Sequence, residues 1–402
     1  MIPFSPPRID QAIVDEVSKA LLSGWITTGP RTKLFETKLT TYTGCRKTIC
    51  LNSATAGLEL ILRWFGVGPG DEVILPAYTY CSTANVVLHC GAKPVMVDCH
   101  ESDFNISVAA IKKAITPNTK VIMPVDISGY PADYDRIHQV IEQESIKRLF
   151  SPSTEAQKRL GRVLVLSDAA HSFGGTMSGK KCGALTDVSV FSFHAVKNLT
   201  TSEGGAVCLN LPEVFDVEEI YKILNMKSLH GQSKDALAKT QIGNWRYDVV
   251  EPGYKCNMTD LSAAIGLVEL DRYQSNLDRR KAIFNQYVSG FSKKDWAIIP
   301  AYQSESKETS YHLFLLRIKG IDEPTRDAIM QSIFEAGVSV NVHFQPLPLL
   351  SAYKNIGYKM SDYPVAWSKY ENEITLPVYF DLTDDNVATI IAEVCRAVEK
   401  LI

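Results

Sequence analysis

The sequence predicts an α/β fold: a mostly parallel central sheet with helices on both faces, plus a smaller α+β domain at the C-terminal end. Three observations predict it. Short β-branched runs alternate with segments of helical periodicity through the first half of the chain, at the spacing of βαβ units. Beyond residue 259 strands and helices still occur but lose that alternation. A length of 402 residues suits one large domain and one smaller one.

Taken in order, Ile9, Ala12, Ile13, Val17, Ala20 and Leu21 fall at helical spacing, which predicts a helix over 9–22. Asp15 and Glu16 lie early in it and Lys19 late, as the helix dipole prefers, and Gly24 can stop it. The turn at 25–30, WITTGP, reads as a hydroxyl-rich connector, and 32–43 as a second helix ending at Gly44. A short strand at 48–51 runs into NSATAG, with helical spacing from Leu58 to Phe65. Hydroxyl residues at a strand-to-helix junction suit a phosphate, because the first N–H groups of a helix lack partners and its dipole favours an anion. Ser53 or Thr55 serves equally well as a plain N-cap. Strands follow at 72–75, 95–97, 120–124 and 163–166, separated by helices at 84–90, 108–114 and 133–142.

The segment 144–162 is polar, rich in charge and long for a connection between a helix and its following strand, so it reads as a surface insertion. A helix is expected over 213–228, then a long functional or interface loop at 230–251 holding Trp245 and Tyr247. One long helical pattern runs from Thr259 to about Ser289. Strands are expected at 311–318 and 338–344, and helices at 326–335 and 386–400. The expected division is a large domain of residues 1–258, N-terminal segment included, and a linking helix with a small domain over 259–402.

A formal net charge of −3 disfavours nucleic acid or an anionic membrane as partner. No basic leader followed by an apolar core opens the sequence, and no apolar run spans a bilayer. The nine cysteines are scattered without a C-x-x-C pair. They indicate a reducing cytoplasm, with neither a disulfide framework nor a zinc or other metal site.

The stretch 188–208, VSVFSFHAVKNLTTSEGGAVC, holds the most chemistry. Two apolar runs read as core strands, and the turn between them carries Lys197 beside Ser192 and His194. An amine held in a partly dry site has a lowered pKa and can act as a nucleophile; the plainer reading is a surface lysine on a loop. Asp168 ends the preceding strand, followed by Ala169, Ala170 and His171; its plainer reading is the N-cap of a following helix. In a parallel sheet ligands bind at the C-terminal strand ends, where Thr55, Tyr80, Asp168, His171 and Ser192 all fall. A lysine, an acid, an aromatic plate and phosphate-binding hydroxyls are what pyridoxal 5′-phosphate (PLP) requires.

The chain also resembles the DegT/StrS-type family of nucleotide-sugar aminotransferases, on SGWITTGP at 23–30, NSATAGLEL at 52–60, GDEVILPAYTYCSTANVV at 70–87, SDAAHSFGG at 167–175, FSFHAVKNLTTSEGGAV at 191–207 and PGYKCNMTDLSAAIGLVEL at 252–270. Several of these are most similar to the branch that includes UDP-4-amino-4-deoxy-L-arabinose–oxoglutarate aminotransferase. The resemblance implies the fold type I architecture of PLP-dependent transferases, with 1–258 as the cofactor-binding domain. It implies Lys197 as the Schiff-base lysine, Asp168 against the pyridine nitrogen, His171 near the ring hydroxyl and Tyr80 as the stacking aromatic. Thr55, the Ala54 and Ala56 amides and Ser192 would hold the phosphate. Lys255 and Asn257 would reach the phosphate region of a neighbouring subunit, implying a homodimer with shared sites. Thr28 and His343 are candidates for the substrate side; a turn hydroxyl and a strand histidine are their plainer readings.

The implied reaction is a ping-pong transamination, with glutamate as donor and the keto carbon of a nucleotide-diphosphate sugar as acceptor, in polysaccharide or antibiotic-sugar synthesis. Relatives that dehydrate carry histidine at the lysine position, so Lys197 favours aminotransfer. Two other readings remain: a PLP-binding regulatory protein without turnover, and a PLP enzyme acting on an amino acid.

Overall fold

Apolar runs of four or five residues form a seven-stranded sheet in the computed structural model, which describes residues 1–233 and 247–402. In chain order the strands are β1 (Lys47–Leu51), β2 (Glu72–Pro76), β3 (Lys93–Val97), β4 (Thr119–Ile122), β5 (Leu164–Asp168), the two-residue β6 (Thr176–Met177) and β7 (Lys180–Lys181), β8 (Val188–Ser192) and β9 (Gly205–Leu209). The central sheet runs β1-β9-β8-β5-β4-β2-β3. All neighbours are parallel except the two pairs made by β9, which is antiparallel to both β1 and β8. Every residue of β4, β5 and β9 is buried, as strands covered on both faces must be.

This topology gathers one edge of the sheet. Asp168 and Ser192 close β5 and β8, Gly205 opens β9, and Leu51 closes β1, paired with Gly205. The helix Ala54–Phe65 begins at that edge, capped by Ser53, whose Oγ accepts from the Ala56 N–H at 3.1 Å. Gly205 makes the approach possible: a Cβ there would lie 2.5 Å from the Ala54 nitrogen.

The WITTGP turn is likewise held from afar. The helix Pro30–Thr43 lacks a side-chain cap of its own. Buried Asp260 supplies one, accepting from the Gly29 and Thr32 N–H groups at 2.8 and 2.9 Å and from the Thr32 hydroxyl at 2.7 Å.

A second sheet is antiparallel, in the order β10 (Ala297–Ile298), β12 (Phe314–Ile318), β13 (Glu373–Leu376). Its core includes Phe284, Phe314, Ile329, Ile374 and Val394, contributed by β12, β13 and the helices Tyr273–Phe291, Glu323–Glu335 and Asp384–Leu401. A further strand, β11 (Lys307–Glu308), joins β6 and β7 in a third, small sheet.

Several expectations change. The long helix from 259 is two, Asp260–Asp271 and Tyr273–Phe291, broken at Arg272 with φ −109 and ψ 8. The strand expected at 311–318 starts only at Phe314, because Tyr311 takes a left-handed φ of 56. No strand forms at 338–344. Val338 bridges to Ile2 and Asn341 to Thr375, and the His343 N–H goes to the Glu373 carboxylate at 3.0 Å instead of a neighbouring strand.

The 144–162 segment folds into the short helices Glu144–Lys147 and Glu155–Leu160, with Ile146, Phe150 and Gln157 buried. Thr154 Oγ1 and Gln157 Nε2 donate to the Phe65 carbonyl at 3.0 and 2.9 Å. Phe65 ends the helix whose first turn lies at the gathered sheet edge, roughly 17 Å away along the axis. The insertion is therefore peripheral to that edge. Of the loop expected at 230–251, residues 234–246, Trp245 among them, lie outside the described residues.

Candidate active site

At the gathered edge of the sheet lies a cavity of about 430 Å³. Ala54, Thr55, Tyr80, Asp168, His171, Ser192, Lys197 and His343 all line it. The plainer readings of the two central residues fall away. No helix follows Asp168, and Lys197 faces the same cavity as Asp168.

Lys197 sits in a tight connection between β8 and β9, where its own N–H bonds the His194 carbonyl at 2.9 Å and Thr201 N–H bonds Phe193 O at 2.9 Å. The side chain is half-buried, and among the described residues no hydrogen bond or ion pair engages its amine. Loss of hydration lowers its pKa to about 8, against the opposing pull of the Asp168 carboxylate.

Asp168 is buried at the end of β5. Its Oδ2 accepts from the Thr83 hydroxyl at 2.8 Å and its Oδ1 from the Ala170 N–H at 3.3 Å. Burial raises its pKa, while those two hydrogen bonds and the nearby Lys197 charge pull it down. The side chain is thus fixed in place with capacity left for a cation at the cavity.

His171 is buried, with its ring 4.5 Å from that of His312 and 5.6 Å from Phe344, centroid to centroid. Among the described residues its Nδ1 has no partner, a rare condition for a buried ring nitrogen. Burial, then the Lys197 charge, holds its pKa well below the ordinary value, so the ring is neutral. Tyr80, 59% exposed, stands at the mouth with its ring 5.9 Å from Phe344. His343 is neutral too: burial and the Lys197 charge lower its pKa to about 4.

The other expected residues lie elsewhere. The Ala56 N–H is already taken by Ser53, so only the Ala54 and Thr55 amides remain at the cavity. Thr28, Lys255 and Asn257 form a separate cluster that does not line it. Thr28 Oγ1 donates to Met258 O at 2.6 Å and accepts from Asn257 Nδ2 at 2.7 Å, and Lys255 Nζ bonds Asn257 Oδ1. Sequence reasoning missed His312, Phe344 and the N-terminal Phe4. Phe4 stacks on His343 at 5.5 Å and 16°, held there by the pairing of Ile2 with 337–339. Only His312 left a sequence signal, a histidine directly ahead of the apolar run at 313–316.

The set fits PLP. Cation and carboxylate share one cavity, a helix N-terminus and a hydroxyl lie beside them for an anion, an aromatic stands at the mouth, and a buried imidazole nitrogen lacks a partner. No helix of the described residues is long and apolar enough to cross a membrane.

Comparison with known proteins agrees. Residues 7–395 match the model of the DegT/DnrJ/EryC1/StrS aminotransferase family. The chain is 35% identical to the spore coat polysaccharide biosynthesis protein SpsC of Bacillus subtilis, covering 98% of this chain and 96% of that protein. Among solved structures, Spr1654 from Streptococcus pneumoniae, named for a proposed sugar aminotransferase activity and determined in its PMP form, superposes with a TM-score of 0.97 at 50% identity, both chains covered completely. Its PLP form gives a TM-score of 0.95. PseC of Helicobacter pylori, an aminotransferase involved in the biosynthesis of pseudoaminic acid, gives 0.87 at 26% identity, with 99% of each chain covered. This chain belongs to the DegT/DnrJ/EryC1/StrS aminotransferase family, and it is a PLP-dependent aminotransferase.

Proposed function

We propose that the chain transfers an amino group from glutamate to a keto carbon of a nucleotide-diphosphate sugar, by two half-reactions at one cavity in the cytoplasm. The observation that carries this reading is the placement of Lys197 and Asp168 on one cavity beside the start of the helix Ala54–Phe65. The names of the relatives support the sugar: a polysaccharide protein, a sugar aminotransferase and an enzyme of pseudoaminic acid synthesis. Nine free cysteines suit a reducing compartment.

When bound, PLP supplies an electron sink for the carbon that loses its proton. Asp168 would stabilise positive charge on the pyridine nitrogen. The Ala54 and Thr55 N–H groups and the Ser192 hydroxyl would hold the phosphate, and Tyr80 would cover the ring. Lys197 carries the proton step: with a pKa of about 8, a substantial fraction of its amine is neutral near pH 7.5, able to accept a proton and return it. Lys255 and Asn257, outside their own chain's cavity, are proposed to complete the phosphate site of a second copy in a homodimer.

Glutamate added alone to cofactor-loaded protein should abolish its visible absorption, and the aminated enzyme should then convert one member of a panel of keto-sugar nucleotides. An unchanged spectrum overturns the donor; no conversion across the panel overturns the acceptor.

A further inference from the structure

We infer that Glu373, acting through Thr375, decides which hydrogen-bonding face His343 turns to the cavity: an N–H when Glu373 is protonated, a lone pair when it is not. The three residues form one chain. Glu373 opens β13 and is fully buried. Its Oε2 accepts the His343 backbone N–H at 3.0 Å, so that oxygen is committed as an acceptor. Its Oε1 lies 2.6 Å from Thr375 Oγ1, which lies 3.1 Å from His343 Nδ1. Among the described residues the Thr375 hydroxyl has no other side-chain partner, and His343 Nε2 has no protein partner at all.

One hydroxyl hydrogen between two groups leaves two arrangements. With Glu373 ionised, Thr375 gives its hydrogen to Oε1 and takes one from His343 Nδ1–H, so Nε2 is left as a lone pair. When one proton is taken up from the cavity at Nε2, the Nδ1 hydrogen passes to Thr375 and the Thr375 hydrogen to Oε1, so every bond reverses. Oε1–H donates to Thr375, Thr375 donates to Nδ1, and Nε2 carries the hydrogen. The ring stays neutral in both.

Burial places the Glu373 titration near pH 8, opposed by the Thr375 hydroxyl and the His343 N–H, then by Arg326 and Arg317. Tyr78 also faces this cluster, donating its hydroxyl to the His343 carbonyl at 2.8 Å. Toward the cavity the charged and titratable neighbours of His343 are Lys197, His171 and His312. The consequence for substrate rests on the function proposed above: the N–H form suits the keto oxygen of an incoming sugar, the lone-pair form a hydroxyl or the new amino group. Glu373 and Thr375 are positioning residues; only His343 meets substrate.

Ring-nitrogen NMR of cofactor-loaded protein labelled with 15N-histidine tests this, with His343 assigned by its loss in H343F. The expected result is a switch of Nε2 from pyrrole-type to pyridine-type as pH rises through about 8. In E373Q, whose amide must donate to Thr375, Nε2 should stay pyrrole-type at every pH. T375V should abolish the switch and T375S restore it. A wild-type ring that does not change with pH, or an E373Q ring that follows the wild type, overturns the relay. The readout is independent of turnover: a switching ring in an enzyme that converts no keto sugar removes the substrate reading alone, and a static ring in an enzyme that converts one removes the relay alone.

Discussion

Thr83 donates its hydroxyl to Asp168 at 2.8 Å, joining the PAYTYCSTAN segment after β2 to the end of β5. Burial alone would raise the Asp168 pKa further; this bond is the largest influence holding it down. In T83V the carboxylate should become harder to ionise, so the acid limb of the kcat/KM profile moves to higher pH. The loss of a hydrogen bond to a charged group, about 1.5–3 kcal/mol, corresponds to roughly a 10- to 100-fold fall in kcat/KM. T83S should recover most of it. An unshifted limb in T83V contradicts this role.

Lys197 should cost the cofactor-free protein stability. Its folded pKa, about 8, lies below the ordinary value of 10.5, so the folded chain holds its proton less tightly than the unfolded chain. The penalty is fully present below pH 8 and fades as pH rises toward 10.5. Cofactor-free K197M should therefore melt above wild type at pH 7, with the difference shrinking by pH 10; supplied with cofactor, K197M should transaminate about 100-fold more slowly than wild type, or slower still. Equal melting temperatures at pH 7 would contradict the desolvation account.

The 144–162 insertion should matter for stability and not for chemistry. Buried Gln157 ties it to Phe65. Arg162 grips Asp187 with two bonds of 2.8 and 2.9 Å, and Asp187 also accepts from Val165 N–H. Q157A should lose about 1–3 kcal/mol and R162M about 3–5 kcal/mol of folding stability, with KM and kcat unchanged. A changed KM in a folded Q157A enzyme would contradict the peripheral placement.

The parts legible in the sequence were those encoded locally. The β-branched runs of β1, β8 and β9 and the acid closing β5 show their roles within a few residues, and the topology then brings Asp168 and Lys197 together. What sequence did not reveal depends on contacts distant along the chain. Asp260 caps a helix that begins 230 residues earlier, at Pro30. The strand expected at 338–344 has the right composition, but the Glu373 carboxylate and Ile2 take its backbone hydrogen bonds. Phe4 reaches His343 through that same pairing, and no periodicity in MIPFSPPRID announces it.

Lys197, which lines one cavity with Asp168, is proposed as the amine that holds the cofactor. Borohydride reduction of the cofactor-loaded protein, followed by peptide mapping, tests it most directly. One pyridoxyl label is expected, on the peptide containing Lys197, retained in D168N and absent in K197M; a label on any other lysine of the folded enzyme rules Lys197 out as that amine.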